Sequence, residues 1–556
     1  VDSDFNCIIG PGDACKTTIL TALDYALSPR TSLSFDDTDF FNQDINQDII
    51  IQVTLSEWDE KRADIKKLFQ ESKFAQYQCG LDGNGPLSEP RANGPIAVSV
   101  SLRVDKSLEP KWFVVKGCEE DEAAERKPLY AGDRATFGLS RLDTYSDYQF
   151  TWGRNTILTR LSANNEGNLR AVLSDLSREM RQGDISKSQS IIECQGIADK
   201  VRVDAKGVGV KLNALSPKID IQRQSTTTGA LSLHEDNVPI RSKGSGTKKL
   251  IAAAMQMKLN NGKNIALIDE VEIGLEPHRI RGLLLRLKGT GQQVFTTTHS
   301  PVVIRELNIT NNELYVCRRD ADGNVSLESL ATVPGIQGPV RSNAEAFLGR
   351  KIVVCEGATE IGCLRAYDNF RLERGDIPVW SLATAYFNAS GGGYIKVVCP
   401  KLLSLGYRTA AFCDNDKADQ INEEDARKLR QKGVHVCQWE IGNSTERQLF
   451  LDLPWPHVHE LLSLIAKHHG TLELASITDL VRKDPRCVEL DLEPALDQWS
   501  EAKVLREVIG DLVGKREWIK RINLAQCVFR FAIPHLPEDT VLKKRLGALW
   551  DWIQCE

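Results

Sequence analysis

A chain of 556 residues with 41% hydrophobic and 26% charged residues exceeds what one hydrophobic core fills, so two or three domains are expected. The formal net charge of -6 excludes a uniformly basic nucleic-acid-binding surface but leaves room for a basic track beside an acidic centre. The 14 cysteines show no C-x-x-C pair and several lie inside apolar runs, which excludes a disulfide framework and fits a reducing compartment. The nine histidines lack zinc spacing and read as surface residues. No apolar run approaches the roughly 18 residues of a membrane span. Nothing signal-like precedes the run that begins at Phe5, so no membrane association and cytoplasmic residence are the expectations.

Phe5–Ile9 reads as a short strand that runs into GPGDACKTT (10–18) and then into the apolar-periodic helix ILTALDYAL. Strand, glycine-rich loop and helix are the setting of a P-loop, whose backbone N–H groups cradle phosphates while a lysine reaches the terminal ones. Gly10, Gly12, Lys16, Thr17 and Thr18 are therefore candidates for binding ATP, with Lys16 on the β and γ phosphates and Thr17 on Mg2+. The pattern G-x-x-x-x-G-K-[ST] breaks at its second glycine, which is Cys15. A Cβ there crowds the phosphates or forces an unfavourable φ, so nucleotide binding is expected with slowed hydrolysis.

Strands are expected at 49–55, 96–104 and 111–115, a helix at 61–74, and a turn-rich connection over 80–94. Between residues 139 and 160, Arg141, Tyr145, Tyr148, Phe150, Trp152, Arg154 and Arg160 interleave charge with aromatic rings. Such a mixture can stack on bases, but an ordinary sheet edge is the expected reading. Residues 164–180 and 186–215 read as polar helices, making 162–218 a helical dimerisation arm inserted in the first domain; strand-like texture resumes over 220–233.

Four further features follow in order. GSGTKKLIAAAM, from Gly244, is a small-residue loop with Ser245 opening a helix, and a helix N-terminus is an anion site. NIALIDEVEIGLEPH (264–278) has a strand ending in Asp269 and Glu270, a carboxylate pair that fits Walker B: Asp269 orders Mg2+ and Glu270 polarises the attacking water. GQQVFTTTHSP gives a strand over 294–298 ending in His299, which can sense a γ phosphate. Lys16, Gly244-Ser245-Gly246, Asp269-Glu270 and His299, in that order, resemble ABC-type ATPases of the structural-maintenance and RecF kind. The resemblance implies ATP sandwiched between two copies, hence a homodimer or a dimer-based tetramer, with Glu276 and His278 at the interface.

Residues 332–343, rich in Gly, Pro and Ser, form the expected boundary of a first domain over 1–335. Beyond it a short helix is expected at 345–348. An alternating unit follows: strand 352–355, helix 360–369, strand 379–385, helix 394–405, strand 408–413, helix 421–432 and strand 434–438. The first strand delivers Glu356, with Glu360 a helical turn later, and the third delivers Asp414 and Asp416. Ligands sit beyond the carboxyl ends of such strands, so these oxygens make a candidate site for Mg2+ or Mn2+. Residues 456–556 read as amphipathic, core-facing helices, and Arg516, Lys520 and Arg521 add local positive charge.

An acidic EG at one strand end and D-x-D at another resemble the toprim pattern of topoisomerases, primases and a class of nucleases. With GLEPHR and TTHSP ahead of them, the chain resembles the OLD (overcoming lysogenisation defect) family of ATP-dependent endonucleases. The resemblance implies an α/β protein: an ABC/SMC-like ATPase domain with a helical insert, a toprim domain over 345–470 and a helical segment over 471–556 that completes it. CEGATE implies Glu356 and Glu360 as metal ligands, DNDKAD implies Asp414 and Asp416, and GNSTERQLF implies Glu446, with Glu440 its rival. KREWIKRI implies Lys520, and after it Lys515, as a lysine that stabilises the transition state; Asp419 is left as a surface charge.

The expected function is an ATP-regulated, divalent-metal-dependent DNA endonuclease or nickase acting in phage defence, with DNA as partner and room for an accessory defence protein or nucleic-acid component. The alternative is a RecF-like repair ATPase whose toprim-like domain binds DNA without cutting it. Clustered carboxylates disfavour that alternative, because a surface built only to hold phosphate has no use for them. A primase-like polymerising reading lacks a zinc-binding module here.

Overall fold

The computed structural model describes the chain except residues 2–3, 57–62, 83–84, 88, 92–93, 119–123, 143–146, 154–155, 163–188, 220–230, 259–264, 321, 418–419, 491, 494–495 and 556. The chain separates into two compact units, Val1–Ile9 with Asp13–Leu327, and Gly10–Gly12 with Glu328–Glu556. The division falls ahead of the Gly/Pro/Ser-rich stretch at 332–343. Among the described residues no helix is long and apolar enough to cross a membrane.

In the first unit, Phe5–Ile9 is buried throughout and pairs in parallel with Gln293–Thr297 on one side and Leu314–Arg319 on the other. Ile265–Ile268 pairs in parallel with Gln293–Thr297, and Ser140–Leu142 with Ile265–Ile268. Parallel strands are covered on both faces, which is why FNCII and IALI read as largely apolar runs. Their carboxyl ends all point one way and carry the loop at 10–18, Asp269 and Thr298 to one edge. A separate antiparallel sheet pairs Ile49–Ser56 with Ile96–Val104 and the latter with Pro110–Val115, as alternation predicts.

Several expectations in this unit are corrected. The 80–94 stretch contains a hairpin, Cys79–Asp82 with Gly85–Leu87, that turn residues disguised. The helix expected to reach residue 215 is Gln189–Gly207; Gly209 (φ 86°) ends it, and Leu215–Ile219 pairs as a strand with Leu231–Glu235. That helix buries Cys194, Ala198, Val201 and Ala205, so this part of the expected 162–218 arm has a packed face; residues 163–188 lie outside the described residues. Phe150 and Trp152 are core residues rather than base-stacking platforms, and Arg160 donates to the Leu139 carbonyl at 2.7 Å. Tyr145 and Arg154 lie outside the described residues.

The second unit is built on four parallel strands in the spatial order Thr384–Asn388, Lys351–Cys355, Arg408–Cys413, His435–Gln438. The chain leaves the central Lys351–Cys355 strand for one neighbour, Thr384–Asn388, and then returns to the other, Arg408–Cys413. This reversal opens a crevice beyond the ends of Lys351–Cys355 and Arg408–Cys413, the switch point where open α/β sheets place ligands. The strand expected at 379–385 is instead a single 3-10 turn, Val379–Leu382, followed by the strand Thr384–Asn388, because Ala383 takes a left-handed conformation (φ 50°).

Helices Ala358–Glu373, Thr445–Asp452, Lys503–Lys515 and Ile522–Ala532 share one core with this sheet, through Val353, Phe412, Leu449, Val508 and Phe529. Ala358–Glu373 meets Ile522–Ala532 at Gly362, where an added Cβ would stand 2.4 Å from Ala525 Cβ and 2.8 Å from the Ile522 carbonyl oxygen. Gly362→Ala is therefore expected to cost about 1–3 kcal/mol through overpacking of two helix backbones. Denaturant unfolding checks this; an unchanged midpoint would mean the helices have room to part.

Candidate functional site

The crevice at the switch point is a cleft of about 630 Å³ lined by Glu356, Glu360, Asp414, Asp416, Glu446 and Lys520, among others. All five sequence-expected carboxylates and the expected lysine are thus brought to one cavity. The strand register puts Cys355 beside Phe412, so Glu356 and Asp414 emerge side by side from adjacent strands. The Asp414 N–H donates to Glu356 Oε2 at 3.1 Å and ties the two strand ends together. Asp416 is exposed and lies beyond the strand, in a bend; Lys417 beside it also lines the cleft.

Glu360 and Glu446 are buried, at 3% exposure each, on helices that open towards the cleft. Glu360 Oε2 accepts the Gly357 N–H at 2.8 Å, so this carboxylate caps its own helix as well as lining the cavity. Glu446 Oε1 accepts from Thr359 Oγ1 at 2.9 Å. The rival Glu440 is exposed and is not among the lining residues. Lys520 Nζ pairs with Glu517 Oε1 at 3.2 Å, on a segment anchored by buried Trp518 and Ile519; Lys515 also lines the cleft.

Two residues that sequence reasoning passed over hold the acids in place. Thr445 donates to Asp414 Oδ1 from both its N–H and its hydroxyl, each at 2.8 Å, and its hydroxyl oxygen accepts the Trp439 indole N–H at 2.8 Å. Thr359 does the same service for Glu446. The signal was present in the T-E pairs of GATE and NSTE, where a threonine hydroxyl stands beside a carboxylate at a helix start.

Crowding acids in a buried cleft shifts them. Burial raises the Glu356 carboxyl above its usual range and Asp416 adds to the rise, while the N–H groups of Asp414 and Gly392 oppose it. Burial and then the Glu446 charge push Glu360 up to about 8. Burial, followed by Glu360, Glu446 and Glu356, holds Asp414 well above the carboxylate range. Lys520 loses some basicity to burial, but Glu517, Glu446 and Asp414 outweigh this and raise it.

A pH dependence follows for the protein held free of divalent ions. Glu360 titrates near 4.5 when unfolded and about 8 when folded, so the folded state keeps a proton that the unfolded chain releases between these values. Stability from this group is complete below the lower value and is lost as pH rises through the upper one. The melting temperature in chelator is expected to fall between about pH 5 and pH 8, and Glu360→Gln to flatten that fall. Parallel curves for parent and variant would show that Glu360 bears no such strain.

In the first unit, Lys16 opens the helix Lys16–Leu27 and is buried. Burial lowers its pKa, opposed by Cys317, Asp13, Asp269 and Glu270, so the ammonium shares a region with both of the acids that end Ile265–Ile268. Thr17 Oγ1 donates to Asp269 Oδ1 at 3.3 Å, and Thr297 Oγ1 donates to the same oxygen. The Glu270 N–H donates to Thr297 Oγ1 at 2.8 Å, and Glu270 itself takes φ 45°. Lys249, which was not singled out in the sequence, donates to the carbonyls of Asp269 and Glu270, and burial lowers it to about 8.

The His299 N–H and the Thr298 hydroxyl both donate to Glu272, at 2.7 Å each. Partial burial, then the nearby Lys16 charge, keep the His299 imidazole below its usual pKa. Ser245 starts the Ser245–Lys258 helix against Gly274, and a Cβ on Gly246 would meet the Gly274 carbonyl oxygen at 2.0 Å. Only glycine permits that approach. Thr18 is exposed on the first turn of its helix and Gly12 is exposed in the loop, where an added Cβ would meet nothing within 4 Å; Gly10 takes φ 151°.

Comparison with known proteins bears on this unit. Residues 133–305 match the family described as "AAA domain, putative AbiEii toxin, Type IV TA system". Comparison with curated proteins gives no match. Among solved structures, the chain is similar to an SMC head bound to the C-winged helix domain of ScpA, at 13% identity, 59% of this chain, 91% of that chain and a TM-score of 0.36. It is similar to the SMC head domain from Thermotoga maritima at 10% identity, 59% and 90% coverage and a TM-score of 0.25. The recombination mediator protein RecF of the RecFOR pathway gives 13% identity, 59% and 92% coverage and a TM-score of 0.27. Superpositions this loose carry no weight; the family match over residues 133–305 is to an AAA domain, and Lys16, Thr17, Asp269 and Glu270 come together in the first unit.

Proposed function

We propose that the protein is an ATP-regulated, divalent-metal-dependent DNA endonuclease or nickase of the toprim kind, working as a homodimer or dimer-based tetramer in defence against phage or other invading DNA. One observation carries the reading: Glu356, Glu360, Asp414 and Glu446 meet in one cleft whose lining also includes Lys417, Lys515 and Lys520. A surface that only held phosphate would not gather acids that raise one another's pKa.

The donor set fits a hard divalent cation. Among the described residues no cysteine or histidine lines the cleft, and the repulsion among its carboxylates is what a cation relieves. Among the described residues no three His, Cys, Asp or Glu side chains are grouped closely enough to hold a metal ion by themselves. Mg2+ and Mn2+ keep several waters and accept phosphate oxygens as ligands, so they need fewer protein ligands than a dedicated cage. Glu356, Glu360, Asp414, Asp416 and Glu446 would hold such ions. Bound there, the ions supply charge stabilisation for a phosphodiester and a water of lowered pKa.

The chain's own groups do the rest. Thr445 and Thr359 fix Asp414 and Glu446, and Lys417 and Lys515 give the rim positive charge for backbone phosphates. Lys520 exchanges Glu517 for a phosphate oxygen on which charge develops. Gly10, Gly12, Lys16, Thr17, Thr18, Ser245, Asp269, Glu270 and His299 bind ATP, whose occupancy regulates cleavage.

The test is a supercoiled plasmid incubated with the protein in Mg2+ or Mn2+, with and without ATP, and with chelator. Open-circular or linear product that chelator abolishes is the expected result. Plasmid bound but never nicked in any metal would favour a DNA-tethering ATPase instead.

A further inference from the structure

The loop at 10–18 carries a group that neither phosphate binding nor hydrolysis needs, a thiol where the pattern asks for glycine. We propose that Cys15 and Cys317 are a peroxide-responsive thiol pair whose disulfide shuts the nucleotide site. The proposal rests on reading this loop as the phosphate cradle.

Cys15 sits at φ 65°, ψ 22°, immediately before the helix Lys16–Leu27, and its side chain makes no capping hydrogen bond. A left-handed conformation costs a residue with a Cβ about 1–2 kcal/mol, and glycine would avoid it. The side chain is therefore retained against the backbone's preference, with only a long 4.0 Å contact from its Sγ to the Asp13 carbonyl oxygen. Beneath the loop lies a second thiol. Cys317 belongs to Leu314–Arg319, which pairs with Phe5–Ile9 in the register Ile9↔Val316, so Cys317 comes next, alongside the start of the loop. Its Sγ donates to the Ala14 carbonyl oxygen at 2.7 Å, and it packs against Ala14 and Ile8.

The Ala14 carbonyl and the Cys15 Cα share one peptide plane, which puts the Cys317 sulfur within about 6 Å of the Cys15 Cα. A disulfide between them requires the loop to bring the two sulfurs to the S–S bond length of roughly 2 Å. Cys15 is partly exposed and Cys317 buried, so peroxide reaches Cys15 first. Burial also pushes the Cys317 thiol up to about 11, against the pull of Lys16, as befits the second thiol to react.

The chemistry balances. The Cys15 thiolate attacks a hydroperoxide oxygen: an S–O bond forms, the O–O bond breaks, and the departing hydroxide takes a proton to leave as water. Cys317 then gives up its proton and its sulfur displaces hydroxide from the Cys15 sulfenic acid, releasing a second water as the S–S bond forms. Two thiols lose two electrons and one hydrogen peroxide becomes two waters. The bond removes the Cys317 contact to Ala14 and draws Cys15 towards the strand, re-aiming the N–H groups of Cys15 and Lys16 that the phosphates need. In a reducing compartment such a disulfide is transient, as a sensor's must be.

The experiment treats the reduced full-length protein with hydrogen peroxide, blocks remaining thiols by alkylation, and combines peptide mapping with titration of a fluorescent ATP analogue. Expected are a Cys15–Cys317 cross-linked peptide and nucleotide binding weakened roughly tenfold or more, both reversed by dithiothreitol. Cys317→Ser should bind nucleotide like the reduced parent, yield no cross-link, and keep its affinity through the same peroxide treatment. Cys317→Ala replaces it if the serine variant folds poorly. Alkylation of both thiols after peroxide, or a cross-link with affinity unchanged, overturns the proposal. A reduced protein that binds no nucleotide would instead sink the reading of the loop, while the peptide map still decides the thiol pair.

Discussion

Glu356→Ala is expected to lower metal-dependent plasmid nicking by roughly a thousandfold, about 4 kcal/mol of activation free energy, with little loss of stability. Two roles converge on this residue. It is the acid at the end of the central strand, at the switch point, and its Oε2 receives the Asp414 N–H at 3.1 Å. Alanine removes both the proposed cation ligand and the tie that sets the neighbouring strand end. Glu356→Gln separates the two, because its amide oxygen can still accept from Asp414 while the negative charge is gone. The glutamine variant should nick as poorly as alanine if charge is what matters, and close to the parent if the tie is. Stability should not suffer, since a buried carboxyl with a raised pKa is a strain on the folded state. Nicking by the alanine variant at the parental rate would end the case for this cleft as a nuclease site.

Most of the second unit was legible because its strands are short apolar runs bounded by charge. Lys351–Cys355 and Arg408–Cys413 announce themselves, and so do the acids at their ends. What the residues alone could not supply was the order of the strands. That Glu356 and Asp414 become neighbours follows from Lys351–Cys355 and Arg408–Cys413 pairing directly, a long-range choice with no local signature. Thr445 and Trp439 escaped for a related reason: their importance lies in a hydrogen bond to Asp414, visible only once the helix start stands beside the strand end. Glu360 was half legible, since S/T-x-x-E spacing marks helix caps and its N–H partner here is Gly357. In the first unit the aromatics near residue 150 were ambiguous in the sequence, with the structural reading the expected one. Alternating charge and rings can serve nucleic acid or a core, and burial of Phe150 and Trp152 decides for the core.

Lys16→Ala is the second variant with a large expected effect: nucleotide affinity should fall roughly a hundredfold, about 3 kcal/mol, as measured by titration of a fluorescent ATP analogue. The lysine is buried and its pKa is lowered by that burial, so its charge is costly unless anions offset it. Asp13, Asp269 and Glu270 offset part of the cost in the free protein, and terminal phosphates would offset more. Glu270→Gln provides the contrast. It leaves Lys16, Thr17 and Asp269 in place, so binding should persist while hydrolysis stops, because only the carboxylate can polarise an attacking water. Parental affinity in Lys16→Ala would remove the loop at 10–18 from nucleotide binding. The same pair of variants tests how the two units communicate. If ATP alters nicking by the parent and by Glu270→Gln but not by Lys16→Ala, occupancy of the first unit is the signal. If Glu270→Gln also fails to respond, turnover is the signal.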